Sequence, residues 1–358
     1  MKPITTFAPG PSQIYHSVEG HIRHAFREGI PSISHRSKAF GNIFQSTSES
    51  LRALLNIPSD YFVFFTGSAT EVWERAVQNL VSDTSFHFVN GAFSQKFYET
   101  AKQLGSHATA REVDAGSGFA DSDVPDGTEL IAIMANETST GVTTPNDFFA
   151  EVRMKNPNAL IITDAVSAVP YQALDFTQMD SCFFSVQKGF GLPSGLGVWL
   201  VNEQCIAKAE ALQADKKIIG SYHSLPSFLS FAKKNQTPET PNVLLIYLLG
   251  KVAEDFLRRG IGIIRSETEY KSAILYHSLE NHSIINPFVK EKKWRSKTTI
   301  VANTASLTEK LNQYLVSNGL LAGDGYGAGK KTHLRFANFP AHSKEVYEKL
   351  VDLIRAFE

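Results

Sequence analysis

Two stretches decide the fold of this chain: ALIITDAVSAVP at residues 159–170 and SCFFSVQKGFGLPSG at residues 181–195. Each begins as a predicted strand that is apolar on both faces, and each then presents one charged residue, Asp164 or Lys188. Strands of this kind are typical of parallel sheets covered by helices on both sides. Because ligands bind at the carboxyl ends of the strands in open α/β sheets, we expect both charged residues to face one crevice.

Short apolar runs alternate with helical periods along most of the chain, which predicts an α/β fold with a mostly parallel sheet sandwiched by helices. In this large domain, strands are predicted at residues 61–65, 85–89, 129–134, 159–163, 181–186 and 196–201, and helices at residues 42–55, 70–81, 93–104, 146–155 and 242–259. A smaller C-terminal α+β domain is predicted, with helices at residues 265–280, 307–317 and 343–357 and strands at residues 298–303 and 333–337. We expect an irregular N-terminal arm at residues 1–15, the large domain at 16–257, an irregular segment at 202–240 within it, and the small domain at 258–358.

Composition narrows the class of protein. The 358 residues include 35 basic and 36 acidic side chains, a balance that gives no reason to expect nucleic acid or an anionic membrane as partner. The two cysteines, Cys182 and Cys205, form neither a disulfide framework nor a zinc-binding spacing, which fits a reducing cytoplasm. The N-terminus lacks the apolar region of a signal peptide, and no apolar run is long enough to span a bilayer. We therefore expect a cytoplasmic protein without a metal site.

The two charged residues each have an ordinary and a chemical interpretation. Lys188 is either a surface lysine or, in a partly dry site, an amine with a lowered pKa that can act as a nucleophile or form a Schiff base. Asp164 is either the cap of a following helix or a buried anion that holds a cationic ring nitrogen. Pyridoxal phosphate needs such a partner for its pyridine nitrogen.

Two further elements point to the same cofactor. The sequence YFVFFTGSATEVWERAV at residues 61–77 predicts a strand, a turn of small residues from Gly67 to Thr70, and a helix. Backbone N–H groups at such a helix start can hold a phosphate, although an ordinary helix cap has the same pattern. Phe93 follows the next strand and is either a core aromatic or a ring that stacks on a flat cofactor. Together the phosphate cradle, the aromatic ring, the carboxylate and the lysine predict a pyridoxal-phosphate site.

With these motifs, the chain resembles the class-V aminotransferases, pyridoxal-phosphate enzymes of fold type I, and within them the phosphoserine aminotransferase branch. The resemblance also rests on FAPGPSQI at 7–14, SHRSKAF at 34–40, NETSTGV at 136–142, NQTPETPN at 235–242 and LRFANFPAH at 334–342. It implies a seven-stranded sheet in the large cofactor-binding domain and a homodimer with shared active sites. It also implies ping-pong transamination between phosphoserine and 2-oxoglutarate, a reaction of serine biosynthesis.

The resemblance also assigns roles to residues. Lys188 would form the Schiff base and carry a proton between the substrate Cα and the cofactor C4′, while Asp164 would pair with the pyridine nitrogen. The other residues that it assigns to the cofactor are Ser68, Ala69, Thr70 and Gln187 at the phosphate, Phe93 stacked on the ring, Thr138 beside the ring hydroxyl, and Gln236 and Thr237 reaching the phosphate from the other subunit. The residues that it assigns to the substrate are His35 and Arg36 for the phosphate and Arg335 for the α-carboxylate.

The sequence leaves the identity of the substrate open. Phosphoserine enzymes usually carry a second arginine in the cofactor-phosphate loop, and the aligned residue here is Thr70. That loop is similar to alanine–glyoxylate and serine–glyoxylate aminotransferases, which makes a small-amino-acid:glyoxylate enzyme the alternative. Lys38, Arg75 and Lys330 are candidates to replace the missing cation. A non-catalytic binding protein on the same fold is a third hypothesis, but it predicts the loss of Lys188 or Asp164, and both are present.

Overall fold

A computed structural model describes residues 4–357 and confirms the α/β prediction. Residues 1–3 of the predicted arm and residue 358 of the predicted small domain lie outside the described part. The strands are β1 Thr5–Phe7, β2 Tyr61–Thr66, β3 Thr84–Val89, β4 His107–Glu112, β5 Leu130–Met134, β6 Asn136–Glu137, β7 Val142–Thr143, β8 Leu160–Asp164, β9 Ser181–Ser185, β10 Gly197–Asn202, β11 Asn286–Pro287, β12 Thr299–Asn303, β13 Leu320–Asp324 and β14 His333–Ala337. The α-helices are α1 Val18–Arg27, α2 Lys38–Leu55, α3 Ala69–Leu80, α4 Ala92–Gln103, α5 Asn146–Lys155, α6 Glu203–Ala214, α7 Leu225–Ala232, α8 Val243–Arg259, α9 Ile261–Glu280, α10 Thr308–Ser317 and α11 Lys344–Arg355.

A seven-stranded sheet forms the centre of the large domain, in the order β2-β10-β9-β8-β5-β3-β4. Strand β10 runs antiparallel to both of its neighbours, and the other six strands share one direction. The prediction of a mostly parallel, seven-stranded sheet is therefore confirmed. Strand β4 is not among the predicted strands, because this edge strand is polar and largely accessible and lacks the apolar run that marks the inner strands.

The two faces of this sheet are buried by different helices. Successive residues of a strand point to opposite faces, so Ile161 packs with α2, α5 and α8, while Leu160 and Ile162 pack with α3, α4, α6 and α7. This explains why the strands are apolar at nearly every position. It also leaves the strand ends as the places where polar side chains can gather.

The second sheet belongs to the C-terminal part, in the order β1-β13-β14-β12-β11, and packs with α9, α10 and α11. The prediction of an irregular N-terminal arm is wrong for β1, which pairs in parallel with β13 and buries Phe7. Three residues are too few for a period-2 pattern to stand out in the sequence. After β1 the arm reaches the large sheet, where the Ser12 N–H donates to the Gln187 carbonyl oxygen at 2.9 Å.

Two other expectations are corrected. The segment 202–240 contains helices α6 and α7 rather than an irregular chain. Helix α6 begins at the cap Asn202, whose side chain accepts from the Cys205 N–H, and buries residues at helical spacing. Helix α1 lies in a stretch for which no helix was predicted. The expected domain boundary, between residues 257 and 258, lies in the last turn of α8, just before Gly260, and the division into domains stays a prediction. Within residues 4–357, no helix combines the length and the apolar character that crossing a bilayer requires.

Candidate active site

The carboxyl ends of the parallel strands meet at one edge of the large sheet and surround a cavity of about 100 Å³. Asp164 is the last residue of β8, and Lys188 follows the neighbouring parallel strand β9. The predicted cofactor residues that line the cavity are Ala69, Thr70, Phe93, Thr138, Asp164, Gln187 and Lys188.

Lys188 is buried, with 8% of its surface exposed. Its Nζ donates to Thr138 Oγ1 at 3.2 Å and lies 5.4 Å from the centre of the Phe93 ring. Burial lowers the pKa of Lys188 to about 8, although the nearby charge of Asp164 opposes the shift. A neutral amine is therefore accessible near neutral pH, as a nucleophile requires.

Asp164 is 4% exposed and accepts two hydrogen bonds, from Trp73 Nε1 at 3.3 Å and from the Val166 N–H at 2.9 Å. Burial raises the pKa of Asp164 to about 7, and these two hydrogen bonds oppose the shift. The chain after β8 forms turns and leads to β9, so Asp164 does not cap a helix. The structure thus places an accepting carboxyl group deep in the cavity, where it suits a cationic partner.

The turn between β2 and α3 brings helix N–H groups to the cavity. Ser68 caps α3, because its Oγ accepts from the Glu71 N–H at 3.1 Å. The Ala69 N–H donates to Ser185 Oγ at 3.0 Å, while the Thr70 N–H has no acceptor among residues 4–357. The ordinary cap and the anion cradle therefore coexist, since the cap uses only part of the donors at this helix start.

A polar network fixes Thr138 on the opposite wall. Thr138 Oγ1, which accepts from Lys188, donates to Ser167 Oγ at 2.8 Å, and Asn136 Nδ2 donates to the same oxygen at 2.7 Å. Nearby, the buried carboxylate of Glu137 accepts from the N–H of Ser94 at 2.9 Å, at the start of α4. This anchors the helix that carries Phe93.

Arg335 extends from β14 of the small sheet toward the same loop. Its Nη1 donates to the Thr138 carbonyl oxygen at 3.3 Å and its Nε to the Asp324 carbonyl oxygen at 2.6 Å. The guanidinium lies 5.4 Å from the centre of the Tyr326 ring, which is itself 5.1 Å from the Phe93 ring. A half-buried cation therefore lies beside the cavity without lining it.

The remaining predicted residues form a second group. Arg36 donates to the Thr237 carbonyl oxygen at 2.6 Å, to the Pro238 carbonyl oxygen at 2.9 Å and to Gln236 Oε1 at 3.2 Å. His35, Arg36, Gln236 and Thr237 do not line the cavity of Lys188. The structure thus brings the predicted residues together as two separate groups.

None of the candidate replacements for the missing arginine lines the cavity either. Lys38 and Lys330 are exposed, and Arg75 forms an ion pair with Glu74 on α3. None of these three residues therefore places a cation beside Thr70 in the cradle.

Sequence reasoning missed several residues of the site. Trp73 lies one helical turn after Thr70 on α3, and this spacing alone could have placed it on the same face. Gly10 lies in the motif FAPGPSQI, to which no single-residue role is assigned, yet a Cβ atom at this position would lie 3.1 Å from Lys188 Cε. Ser167 and Tyr326 gave no signal of their own, because their contacts depend on long-range folding.

Comparison with known proteins is consistent with this geometry. A phosphoserine aminotransferase from Cytophaga hutchinsonii has a solved structure that is 47% identical, with a TM-score of 0.97 and 99% of each chain covered. A phosphoserine aminotransferase from Rhodococcus opacus is 29% identical over 330 residues, which cover 90% of this chain and 86% of that protein. An alanine–glyoxylate aminotransferase from Nostoc sp. shares the fold at 18% identity, with a TM-score of 0.81 and coverage of 99% and 95%. The family described as aminotransferase class-V matches residues 4–329, and this chain therefore belongs to the class-V aminotransferases.

Proposed function

We propose that this enzyme is a pyridoxal-phosphate-dependent phosphoserine aminotransferase that passes the amino group of phosphoserine to 2-oxoglutarate by ping-pong transamination. The observation that carries the proposal is the 47% identity, over 99% of both chains, to the phosphoserine aminotransferase from Cytophaga hutchinsonii. The proposal includes a place in serine biosynthesis and a location in the cytoplasm.

The residues around the cavity fit pyridoxal phosphate. Asp164 offers a buried carboxyl group to the pyridine nitrogen, Lys188 offers a buried amine to the aldehyde, and Phe93 offers a ring face. Ser68, Ala69 and Thr70 supply the start of α3 for the phosphate, with Gln187 on the facing wall. When bound, the cofactor supplies an aldehyde that bonds to amines and a ring that withdraws electrons from the substrate Cα.

Lys188 acts as the base in this proposal. Burial keeps its amine neutral in an appreciable fraction near pH 8, so it can take the proton from the substrate Cα and deliver it to the position of the cofactor C4′. The hydroxyl of Thr138, fixed through Ser167, holds Nζ in one position. The close approach of Gly10 limits the space into which the lysine chain can move.

Asp164 stabilises positive charge on the ring nitrogen. Its two hydrogen-bond donors, Trp73 and the Val166 backbone, favour the ionised carboxylate against the cost of burial. Arg335 is suited to the substrate carboxylate, because a guanidinium can bind both oxygens and this one lies beside the Thr138 loop.

His35, Arg36, Gln236 and Thr237 would complete the site of the other subunit in a homodimer. The contacts of Arg36 with Gln236 and Thr237, and the position of all four residues away from the Lys188 cavity, support this assignment. Co-expression of Lys188→Ala with Arg36→Ala tests it. Mixed dimers should regain activity that neither variant has alone, because one site then keeps both residues. Mixed samples as inactive as the separate variants would contradict shared sites.

A glyoxylate-type aminotransferase is the second candidate, and Thr70 favours it. No cation from Lys38, Arg75 or Lys330 replaces the missing arginine at the cavity. Steady-state turnover with phosphoserine and 2-oxoglutarate, compared with alanine and glyoxylate, distinguishes the two. We expect glutamate to form in the first mixture. Turnover of alanine with glyoxylate, together with inert phosphoserine, would overturn the proposed substrate.

A further inference from the structure

A buried histidine joins two acidic side chains close to the phosphate cradle. His223 Nε2 lies 2.8 Å from Glu239 Oε2, and His223 Nδ1 contacts Glu71 Oε1. The ring is buried and stacks on Phe228 at 4.8 Å between centroids. Nothing in the proposed chemistry of Lys188 uses this group.

The geometry defines the charge of the histidine. A carboxylate only accepts hydrogen bonds, so a ring nitrogen that faces one must carry a hydrogen. Because both nitrogens of His223 face carboxylates, the ring is an imidazolium. Burial lowers the pKa of His223, but the hydrogen bonds to Glu239 and Glu71 outweigh it and raise the value to about 9.

The two carboxylates belong to different parts of the chain. Glu71 lies in the first turn of α3, and its Oε2 accepts from the Gly67 N–H at 2.9 Å, immediately before the cradle residues Ser68 to Thr70. Glu239 ends the segment 236–239, in which the Thr237 hydroxyl donates to the Glu239 carbonyl oxygen at 2.8 Å. His223 therefore bridges the cradle of one site and a segment that the proposed dimer contributes to the other.

Charge makes this bridge important for phosphate binding. An unpaired carboxylate at Glu71 would repel a phosphate at the start of the same helix and cancel part of the favourable helix dipole. The imidazolium of His223, which Glu71 shares with Glu239, offsets part of the charge of Glu71 and leaves the hydrogen bond from the Gly67 N–H intact.

We propose that His223 is a positioning residue that prepares the phosphate cradle, by neutralising Glu71 and by tying the cradle to the segment 236–239. The inference rests on the proposed function, because it takes the start of α3 as the phosphate site. It assigns to His223 a selective effect on phosphorylated cofactors.

The test compares pyridoxal phosphate with pyridoxal, which lacks the phosphate, in titrations of the apoenzyme followed by absorbance. His223→Gln should weaken the affinity for pyridoxal phosphate by about tenfold, a change of about 1.4 kcal/mol, and leave the affinity for pyridoxal unchanged. The matched control is His107→Gln, which removes an exposed histidine–carboxylate pair with Asp83 and should change neither affinity.

A double-mutant cycle tests whether His223 acts on phosphate binding through Glu71. In a Glu71→Gln background the carboxylate beside the cradle is gone, so His223→Gln should cost much less affinity for pyridoxal phosphate there than in the wild type. Should His223→Gln fail to fold, Glu239→Ala leaves His223 paired with Glu71 and removes only the tie to the segment 236–239. It should weaken the affinity for pyridoxal phosphate and leave that for pyridoxal unchanged, and two unchanged affinities would overturn the role of the tie.

If His223→Gln weakened the affinities for pyridoxal phosphate and pyridoxal equally, or weakened neither, the inference would be overturned and the proposed function would stand. A wild-type enzyme that does not bind pyridoxal phosphate would overturn both.

Discussion

Trp73 offers a sharp test of the buried Asp164, since its indole N–H donates to Asp164 Oδ2 at 3.3 Å. A hydrogen bond to a charged group contributes about 1.5–3 kcal/mol. This one is longer than the usual distance of about 2.9 Å, so we take the lower end, about 1.5 kcal/mol, which corresponds to about tenfold. Trp73→Phe removes a donor that favours the ionised carboxylate, and the pKa of Asp164, already raised to about 7, should rise further.

The assay is the pH dependence of kcat/KM with phosphoserine and 2-oxoglutarate. In the proposed role Asp164 acts as an anion, so the acidic limb of the profile should move to higher pH by about one unit in Trp73→Phe. The loss should be about fivefold at pH 7, approach about tenfold at lower pH, and recover under more alkaline conditions. Trp199→Phe is the matched control, because the Trp199 Nε1 donates to Ser181 Oγ at 2.8 Å in the same buried cluster. It should lower stability without moving the limb. An unmoved limb in Trp73→Phe, or equal shifts in both variants, would refute the reasoning.

Other expected outcomes follow from the same geometry. Lys188→Ala should abolish turnover while the protein stays folded by circular dichroism, and normal turnover would remove Lys188 from its role. Asp164→Ala should retain some cofactor, measured by absorbance, but lose most of the rate; an unimpaired rate would exclude the assigned role. Gly10→Ala should reduce kcat, because its Cβ would lie 3.1 Å from Lys188 Cε, whereas Gly20→Ala, with open space around it, should not. The raised pKa of His223 means that its pairing stabilises the fold fully below pH 6.5 and is lost as the pH rises through about 9. Urea unfolding should therefore show a loss of stability between those values, and His223→Gln should diminish it; an identical pH dependence in the variant would contradict the assignment.

The large sheet was predictable because its inner strands carry local signals. The run Leu160–Asp164 is buried along its whole length, and alternate residues contact different helix layers, so the sequence had to be apolar on both faces. The same logic placed Asp164 and Lys188 at one edge, since parallel neighbours end together. The edge strand His107–Glu112 was not predicted, because its partial exposure allows polar residues and so removes the apolar pattern of a strand.

The less predictable parts depend on contacts between distant segments. The strand Thr5–Phe7 is defined by its pairing with Leu320–Asp324, more than three hundred residues away in the chain. Tyr326 joins the site through Phe93 of helix α4 and Arg335 of strand β14, which are distant in the sequence. No local period encodes such contacts, and only the folded chain brings them together.

The most direct measurement is a single-turnover titration of the cofactor-loaded enzyme, followed by its visible spectrum, with phosphoserine, serine or alanine added separately and no keto acid present. The account predicts fast conversion of the cofactor to its amine form by phosphoserine alone. Conversion by alanine or serine, with phosphoserine inert, would contradict it and would mean that Thr70 marks a different substrate.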